Sequence, residues 1–152
     1  MLSRVAENLY WYGRYLERAE DVGRMVNVNA HLMLDLPRRM APGWLPLVRI
    51  TGSQALFAEL NDNHDERQVV RFLLAEPRHA GSVLSCLAQA RGNLFAARDL
   101  VPREVWEQTN DLYLLARDQL SGVLSKRRRQ EFIHDMIRRC QQIIGMLADT
   151  MS

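Results

Sequence analysis

The feature that most constrains the fold of this chain is an apolar stripe that spans residues 5 to 33. Apolar or small side chains recur there at alternating spacings of four and three residues, a period that places them on one side of an α-helix. The stripe consists of Val5, Leu9, Tyr12, Leu16, Ala19, Gly23, Val26, Ala30 and Met33. It predicts one helix of about eight turns over residues 4 to 36, with Ser3 as its N-cap and Pro37 after its end. We expect Leu9, Leu16, Ala19, Val26 and Ala30 to be buried, and Gly23 to be kept small by close helix packing.

The rest of the chain contains further helical segments and no strand pattern. Polar or proline-containing breaks separate segments at roughly 44–50, 53–60, 65–75, 82–100 and 103–124, and a last helix follows from about residue 127. Ser53, Asp65 and Ser82 are expected to cap the segments that they precede. No segment alternates apolar and polar residues as a strand does. The sequence therefore predicts an all-α helical bundle of about six to seven helices, built around the long N-terminal helix as a single domain over residues 1–152.

Composition and charge argue against several classes of protein. The 152 residues are 47% hydrophobic and 25% charged, values typical of a globular domain rather than of a disordered chain. A formal net charge of +2 indicates no strong attraction to nucleic acid or to a membrane surface. No segment has the length of about 20 apolar residues that a membrane span requires, and the N-terminus lacks the apolar core of a signal peptide. We therefore expect a cytoplasmic protein in which Cys86 and Cys140 are free, apolar side chains.

A dense set of charged residues lies on the first predicted helix. It consists of Arg14, Glu17, Arg18, Glu20, Asp21 and Arg24. Glu20 and Arg24 are four residues apart in the order that favours an ion pair, and Glu17 lies three residues after Arg14. One interpretation is a solvated face with weak ion pairs. The other is a site in which carboxylate and guanidinium groups bind a phosphate, a carboxylate or a charged partner.

Four aromatic residues precede this charged cluster, namely Tyr10, Trp11, Tyr12 and Tyr15. On a helix they cover most of the circumference, so they cannot all face one core. Either the helix is packed nearly all round, or some rings are exposed for a partner, as aromatic rings beside arginine often are at interfaces. With these alternatives open, the candidate binding residues are Trp11, Arg14, Glu17, Arg18, Glu20 and Arg24.

Two patterns near the last predicted helix are weaker indications of function. Glu131 and His134 have the Glu-x-x-His spacing of di-iron bundles, but such sites need a second copy and further glutamates, so no metal and no cofactor is expected. The run from Lys126 to Arg129 is expected in a loop that enters the helix, as solvated surface. It could attract nucleic acid, but no nucleic-acid-binding motif accompanies it. The sequence also lacks a phosphate-binding loop, a G-x-S-x-G motif and a catalytic Cys/His pair.

The N-terminal segment resembles a known family. Similarity to the alpha-E family, bacterial all-helical proteins of unknown function named for a helix with a Glu-Arg motif, is close over residues 1–20, which read MLSRVAENLYWYGRYLERAE. Glu17-Arg18 matches that motif. The resemblance continues through Trp44, Gly52-Ser53, Asp65-Glu66-Arg67, Arg71 to Leu74, Trp106 and Leu112-Tyr113. It therefore covers essentially the whole chain.

The resemblance also implies a length for the native protein. Family members look about twice as long, with a second Glu-Arg helix, and residues 146–152 resemble the stretch just before that helix. We therefore expect the chain to be the N-terminal portion of a longer family-type protein, in agreement with a last apolar stripe that no Gly, Asn or Pro terminates. A fragment of that kind would expose apolar surface, which predicts a homo-oligomer.

The family context suggests a partner. Family members are typically encoded beside, or fused to, circularly permuted ATP-grasp proteins and transglutaminase-like proteins, so the resemblance implies a helical accessory partner of an ATP-grasp-type amide or peptide ligase. The alternatives are an enzyme that binds a peptide-like substrate through Glu17, Arg18 and Glu20, and a basic nucleic-acid-binding bundle. A pocket around Glu17 and Glu20 with shifted carboxylate pKa values would favour the enzyme. An exposed aromatic patch near Trp11 would favour the partner.

Overall fold

The chain folds into seven α-helices and two short 3-10 turns in the computed structural model, which describes residues 2–151. The helices are α1 (Leu2–Asp35), α2 (Leu45–Ile50), α3 (Gln54–Leu60), α4 (Glu66–Ala75), α5 (Val83–Ala96), α6 (Arg103–Leu120) and α7 (Lys126–Met151). The 3-10 turns span Arg38–Met40 and Arg98–Leu100. No strand occurs among residues 2–151, so the predicted all-α bundle is confirmed. None of the helices described has both the length and the hydropathy that crossing a membrane requires.

Four helices form the framework of the bundle. α1 packs along α5 on one side and along α7 on the other, and α6 closes the ring by packing against both α5 and α7. Tyr12 of α1 reaches across the interior to α6, where its hydroxyl lies 2.6 Å from the hydroxyl of Thr109. The shorter helices lie outside this ring, with α4 against α5, α2 against α4 and α3 against α2. One face of α1 is left open to solvent as a result.

The apolar stripe of α1 faces the interior of the ring, as the sequence predicts. Tyr12, Leu16, Ala19 and Val26 are fully buried in the core. Leu9 and Ala30, which the stripe also predicts to be buried, are only partly so and pack against the edge of the core. They lie toward the two ends of the stripe, so the burial predicted for them is overstated.

Gly23 lies where α1 approaches α7 closely. A Cβ atom at this position would be 2.8 Å from Cε of Met136 and 3.1 Å from Cγ2 of Ile133. Both distances are shorter than ordinary van der Waals contacts, so the missing side chain is what lets the two helices pack together. The prediction that close helix packing keeps this residue small is confirmed.

Two of the predicted helix caps are confirmed. At the start of α4, Asp65 accepts a hydrogen bond of 2.9 Å from the backbone N–H of Gln68. At the start of α5, Ser82 accepts one of 3.2 Å from the backbone N–H of Ser85. These bonds satisfy amide groups that the first turn of a helix leaves without a partner, so both helices begin beside the polar residue.

Other predicted boundaries are wrong by a few residues. α1 begins before Ser3, so this serine lies inside the helix and is not its N-cap. Ser53 precedes α3 without capping it, because its hydroxyl lies instead 2.6 Å from the hydroxyl of Thr51 and 3.4 Å from the carbonyl oxygen of Val48 at the end of the previous helix. α5 ends earlier than predicted, at Ala96, where the chain tightens into a 3-10 turn. α6 likewise ends early, at Leu120.

The run from Lys126 to Arg129 is the first turn of α7, so the prediction of a loop is wrong. Ser125 caps this turn by accepting a hydrogen bond of 3.2 Å from the backbone N–H of Arg128. The prediction of solvated surface is also wrong for Arg129, whose side chain is only 9% exposed. Its Nη1 lies 2.9 Å from Oε2 of Glu66 in α4. A buried cation needs such a partner, and α4 supplies it across the fold.

α7 buries the apolar face that the sequence predicts. Its buried apolar residues are Phe132, Ile133, Met136, Cys140, Ile143 and Leu147. The apolar stripe of the last helix also includes Met151 in the sequence, and the side chain of this residue lies outside the described residues. Cys86 and Cys140 are free thiols in the core, as expected. Burial raises the pKa of Cys86 to about 11 and that of Cys140 to about 12, so both remain protonated at neutral pH.

Candidate functional site

Glu17 and Arg18 lie near the middle of α1, on the part of the helix that faces solvent. Successive residues of a helix are about 100° apart around its axis, so the two side chains leave the helix in different directions. The side chain of Glu17 is 61% exposed, and its Oε2 lies 3.6 Å from Nη1 of Arg14. An exposed ion pair of this length contributes about 0.5 kcal/mol or less. Glu17 can therefore exchange Arg14 for a group on another molecule at little cost.

Arg18 leans toward α5 while it remains exposed. Its guanidinium carbon lies 5.9 Å from the ring centroid of Tyr15, which is a weak cation–π contact. Its charge reaches the thiol of Cys86 in α5, where it opposes the effect of burial on the pKa of that thiol. Within residues 2–151 no carboxylate lies at ion-pairing distance from Arg18, so its N–H donors are available to another molecule.

Glu20 lies on the opposite flank of α1 and points into the seam with α7. Its side chain is 14% exposed, and its Oε2 lies 3.3 Å from Nη2 of Arg24. Burial raises the pKa of Glu20, Arg24 lowers it, and the negative charges of Asp21 and Glu17 raise it further. Glu20 also raises the pKa of Cys140 in α7, although burial is the larger cause. Its carboxylate is therefore part of the α1–α7 seam rather than of the solvent-facing surface.

Glu17, Arg18 and Glu20 consequently do not converge on one point. Three clefts are well formed in the described part of the molecule, and none of them is lined by these residues. Catalytic groups have to lie within hydrogen-bond reach of one substrate. Of the two features expected of an enzyme site, the geometry provides the shifted carboxylate pKa, at Glu20, and not the pocket.

The aromatic residues that precede the charged cluster divide into buried and exposed rings. Tyr12 is fully buried, and burial raises the pKa of its hydroxyl. Tyr10 and Trp11 are 59% and 41% exposed, and their rings meet edge to face with centroids 5.3 Å apart. Tyr15 is half-buried, with its ring centroid 6.1 Å from that of Trp11. Of the two alternatives, the structure thus favours exposed rings that are available to a partner.

Nine exposed residues of α1 lie on one side of the helix and form a continuous surface, which we call the α1 outer face. It consists of Tyr10, Trp11, Arg14, Glu17, Arg18, Asp21, Arg24, Val28 and Leu32. The surface is aromatic at one end, charged in the middle and apolar at the other end, where Val28 and Leu32 are exposed. It contains every candidate binding residue except Glu20, which lies at its edge.

The basic run at the start of α7 offers less free charge than its sequence indicates. Arg129 is buried against Glu66, and Nζ of Lys126 lies 3.5 Å from the same carboxylate. Arg127 pairs with Glu131 at 3.1 Å. Nucleic acid would therefore have to compete with internal carboxylates for most of these cations. Across residues 2–151 no group of three or more His, Cys, Asp or Glu side chains is placed to hold a metal ion.

Sequence reasoning missed two clefts. One, of about 510 Å³, lies between α4 and the start of α7. The other, of about 310 Å³, lies in the α1–α7 seam, where Asn27, His31 and His134 line it and Oδ1 of Asn27 is buried without a hydrogen-bond partner. Asn27 and His31 are four residues apart on α1, which could have indicated a polar edge of the helix. The opposite walls come from distant segments, and no local pattern predicts them.

Comparison with known proteins assigns the chain to a family. The profile of the Alpha-E family, described as a predicted alpha-helical domain with a conserved ER motif, matches residues 1–152. The chain belongs to the Alpha-E family. The resemblance based on the N-terminal segment is thereby confirmed. No curated protein and no solved structure matches the chain.

This Alpha-E domain contains two Glu-Arg dipeptides, Glu17-Arg18 in α1 and Glu66-Arg67 in α4. The resemblance of the N-terminal segment assigns the family motif to the first. The two glutamates differ in environment, because Glu17 pairs with an exposed arginine and Glu66 with the buried Arg129. The first dipeptide is therefore accessible to a partner, whereas the glutamate of the second pairs with a buried arginine and connects α4 to α7.

Proposed function

We propose that this Alpha-E domain is a helical accessory partner that docks on an ATP-grasp-type amide or peptide ligase through the α1 outer face. The observation that carries the proposal is the exposure of Tyr10 and Trp11 one to two turns before Glu17 and Arg18 on the same helix. Exposed tyrosine and tryptophan rings beside an available arginine are the residue types that dominate binding energy at protein interfaces.

The rigidity of α1 supports this role. The helix is 34 residues long and is packed on two sides by α5 and α7, so the outer face is ordered before any partner arrives. A surface that is already ordered loses little conformational entropy on binding, and more of its contact energy appears as affinity. The charged middle of the face adds specificity, because a partner has to match both Glu17 and Arg18.

The choice of partner rests on the family context. Proteins that resemble this family are typically encoded beside, or fused to, ATP-grasp proteins and transglutaminase-like proteins. The ATP-grasp protein is the partner we propose, since a domain without a convergent catalytic cluster is suited to positioning a ligase or its peptide substrate. The transglutaminase-like protein serves as the comparison partner in the test.

The test is a binding titration between the purified domain and the ATP-grasp ligase encoded beside it, monitored by calorimetry. Trp11→Ala should weaken binding by at least roughly thirtyfold if this ring is a central contact. Phe95→Ala is the matched control, because Phe95 is an exposed aromatic ring that packs on Trp106 of α6 rather than on the α1 outer face. Its affinity should equal that of the unsubstituted domain.

A second measurement connects binding with activity. ATP-dependent ligation by the partner should rise when the domain is added, and Glu17→Ala and Arg18→Ala should each reduce that rise. No binding to the ligase, or equal losses for Trp11→Ala and Phe95→Ala, would contradict the proposal. Binding to the transglutaminase-like protein instead would mean that the proposed partner is wrong and that the proposed binding surface is right.

The raised pKa of Glu20 is the observation that favours a second candidate function, an enzyme acting on a peptide-like substrate. A carboxyl group whose pKa is raised by burial is suited to general acid or base catalysis. This alternative predicts turnover of a peptide or amide by the isolated domain and loss of that turnover in Glu20→Gln. An isolated domain without turnover, together with full stimulation of the ligase by Glu20→Gln, would exclude it.

Self-association is a further use that we propose for the apolar end of the α1 outer face. Val28 and Leu32 are 59% and 41% exposed there. A symmetric dimer would cover these side chains with the same residues of a second copy. Sedimentation analysis over a range of concentrations should detect the dimer, and Val28→Asp should return it to a monomer. A monomer at all concentrations would argue against self-association.

A further inference from the structure

The cleft between α4 and the start of α7 lies apart from the α1 outer face. One wall is a stripe along α4 that includes Val70, Arg71 and Leu74. The other wall is formed by the end of α6, the turn at residues 121–124 and the first turn of α7. Its volume of about 510 Å³ falls within the range of clefts that hold small molecules in proteins.

The floor of the cleft is apolar. Val70 and Leu74 of α4 and Leu120 of α6 are buried, and Leu124 is half-buried beside them. Val123 lies in the turn at the mouth and is 81% exposed, which is an unfavourable setting for a valine side chain. These residues would lower the free energy of an apolar group that enters the cleft, by about 25 cal/mol for each Å² of apolar surface that leaves water.

The rim of the cleft is strongly basic. Four cations line it, namely Arg67, Arg71, Lys126 and Arg129, against the single carboxylate of Glu66. Arg71 pairs instead with Glu76, a carboxylate that does not line the cleft, at 2.8 Å. Arg67 has no carboxylate at ion-pairing distance within residues 2–151, so its guanidinium is available to a ligand.

The interior of the cleft already accommodates a carboxylate. The two oxygens of Glu66 lie 2.9 Å from Nη1 of Arg129 and 3.5 Å from Nζ of Lys126. Arg129 is fixed by this contact and by the ring of Trp44, whose centroid is 5.6 Å from the guanidinium carbon. Nε of Arg129 is nonetheless buried without a hydrogen-bond partner. The site therefore holds more positive charge and more N–H donors than its own carboxylate satisfies.

We propose that this cleft binds a small organic anion, specifically a carboxylate at the end of a medium-length apolar chain. The chain would lie on Val70, Leu74 and Leu120, and the carboxylate would bind at the rim through Arg67 and Lys126. An apolar floor beside cations selects for both halves of such a molecule, since a neutral chain leaves Arg67 without a carboxylate partner and a bare anion leaves the floor in water. This site does not depend on the function proposed for α1.

Three probes separate the two halves of the ligand. Octanoate carries both the chain and the charge, octanamide carries the chain alone, and acetate carries the charge alone. Titration of the full chain should give saturable shifts of the Arg129 Nε–H signal in nitrogen–proton NMR spectra with octanoate at millimolar concentration. Octanamide and acetate should bind at least about tenfold more weakly, because each lacks one of the two interactions.

Paired variants at exposed positions test the electrostatic part without disturbing the core. Val123→Lys should tighten octanoate binding and Val123→Asp should weaken it, since this side chain stands exposed at the mouth of the cleft. Arg67→Gln should weaken binding by about tenfold, because a charge-assisted hydrogen bond is lost. Arg103→Gln, an exposed arginine at the start of α6, is the matched control and should bind octanoate as the unsubstituted chain does.

The proposal has clear ways to fail. Equal affinity for octanoate and octanamide would mean that the cleft takes up apolar chains regardless of charge. Equal affinity in the two Val123 variants would mean that octanoate binds elsewhere. A titration without any saturable shift of the Arg129 signal would exclude the site altogether.

Discussion

The two Glu-Arg dipeptides of this domain have the same composition and opposite surroundings. Glu17-Arg18 lies on the outer face of α1, where Glu17 meets Arg14 at 3.6 Å and both side chains are about half exposed or more. Glu66-Arg67 lies at the start of α4, where Glu66 meets Arg129 at 2.9 Å and Arg129 is almost fully buried. The difference between the two pairs arises because α7 packs against Glu66, whereas Glu17 and Arg18 face solvent.

This contrast indicates which charged residues stabilise the fold and which are left to bind other molecules. α7 covers Glu66 and leaves its carboxylate to satisfy a buried arginine, which could not remain charged in the core alone. No helix within residues 2–151 covers the α1 outer face, so Glu17 and Arg18 remain exposed to solvent. The position of a charged residue relative to the helical framework therefore indicates its role better than its residue type does.

The largest effect expected from this contrast is on Arg129. Arg129→Met should lower the free energy of unfolding by about 3 kcal/mol, because the buried pair is broken and Glu66 is left with only a longer contact to Lys126. Urea unfolding followed by circular dichroism measures the change.

Arg127→Met is the control for that experiment. Arg127 lies in the same turn of α7 and pairs with Glu131, but both side chains are mostly exposed. The variant should differ from the unsubstituted domain by less than about 0.5 kcal/mol. If the two arginine variants unfold at the same urea concentration, burial is not what distinguishes the two kinds of pair.

The fold could be predicted from the sequence because its elements carry local signals. The stripe on α1 has a clear helical period, and Asp65 and Ser82 stand directly before their helices as caps. Ser53 has the same chemistry, yet its hydroxyl lies 2.6 Å from that of Thr51, because the preceding helix ends within reach. The prediction of a cap from residue type fails here because a neighbouring polar side chain offers the hydroxyl another partner.

The site was predictable only in part. Four aromatic rings between Tyr10 and Tyr15 cannot all lie on one face of a helix. The exposure of at least one of them could therefore be predicted. The helical period places Glu20 at the edge of the apolar stripe, but its raised pKa depends on the burial that packing of α7 against that edge produces. Arg129 was expected in solvent because its partner, Glu66, is 63 residues away in the sequence. A contact between residues so far apart in the sequence leaves no local pattern from which it could be predicted.

A smaller effect is expected from Glu20, which lies between the two extremes. Burial raises its pKa in the folded state, so the ionised form is the destabilising one. The folded domain therefore binds its proton more tightly than the unfolded chain does, and this carboxyl group adds stability as the pH falls through its raised pKa. Glu20→Gln should raise the free energy of unfolding at neutral pH by less than about 1 kcal/mol, because solvent screens a group at the edge of the seam.

The pH dependence provides the decisive measurement for Glu20. The difference between Glu20→Gln and the unsubstituted domain should shrink as the pH falls below the ordinary pKa of a glutamate, since both side chains are then neutral. Glu17→Gln is the matched control, and its difference from the unsubstituted domain should be small at every pH. A Glu20→Gln domain that is less stable than the unsubstituted domain at neutral pH would mean that the ion pair with Arg24 outweighs burial.

The smallest effect is expected from Glu17 and Arg18. Each of Glu17→Ala and Arg18→Ala should change the free energy of unfolding by less than about 0.5 kcal/mol, because the lost contacts are exposed and alanine favours the helix at least as well. Thermal unfolding of both variants should therefore match that of the unsubstituted domain, while their stimulation of the ligase falls. A loss of several kcal/mol in either variant would mean that the dipeptide of α1 stabilises the fold as Glu66 does, and the contrast between the two dipeptides would disappear. Unchanged stability together with unchanged binding would leave both residues as ordinary surface.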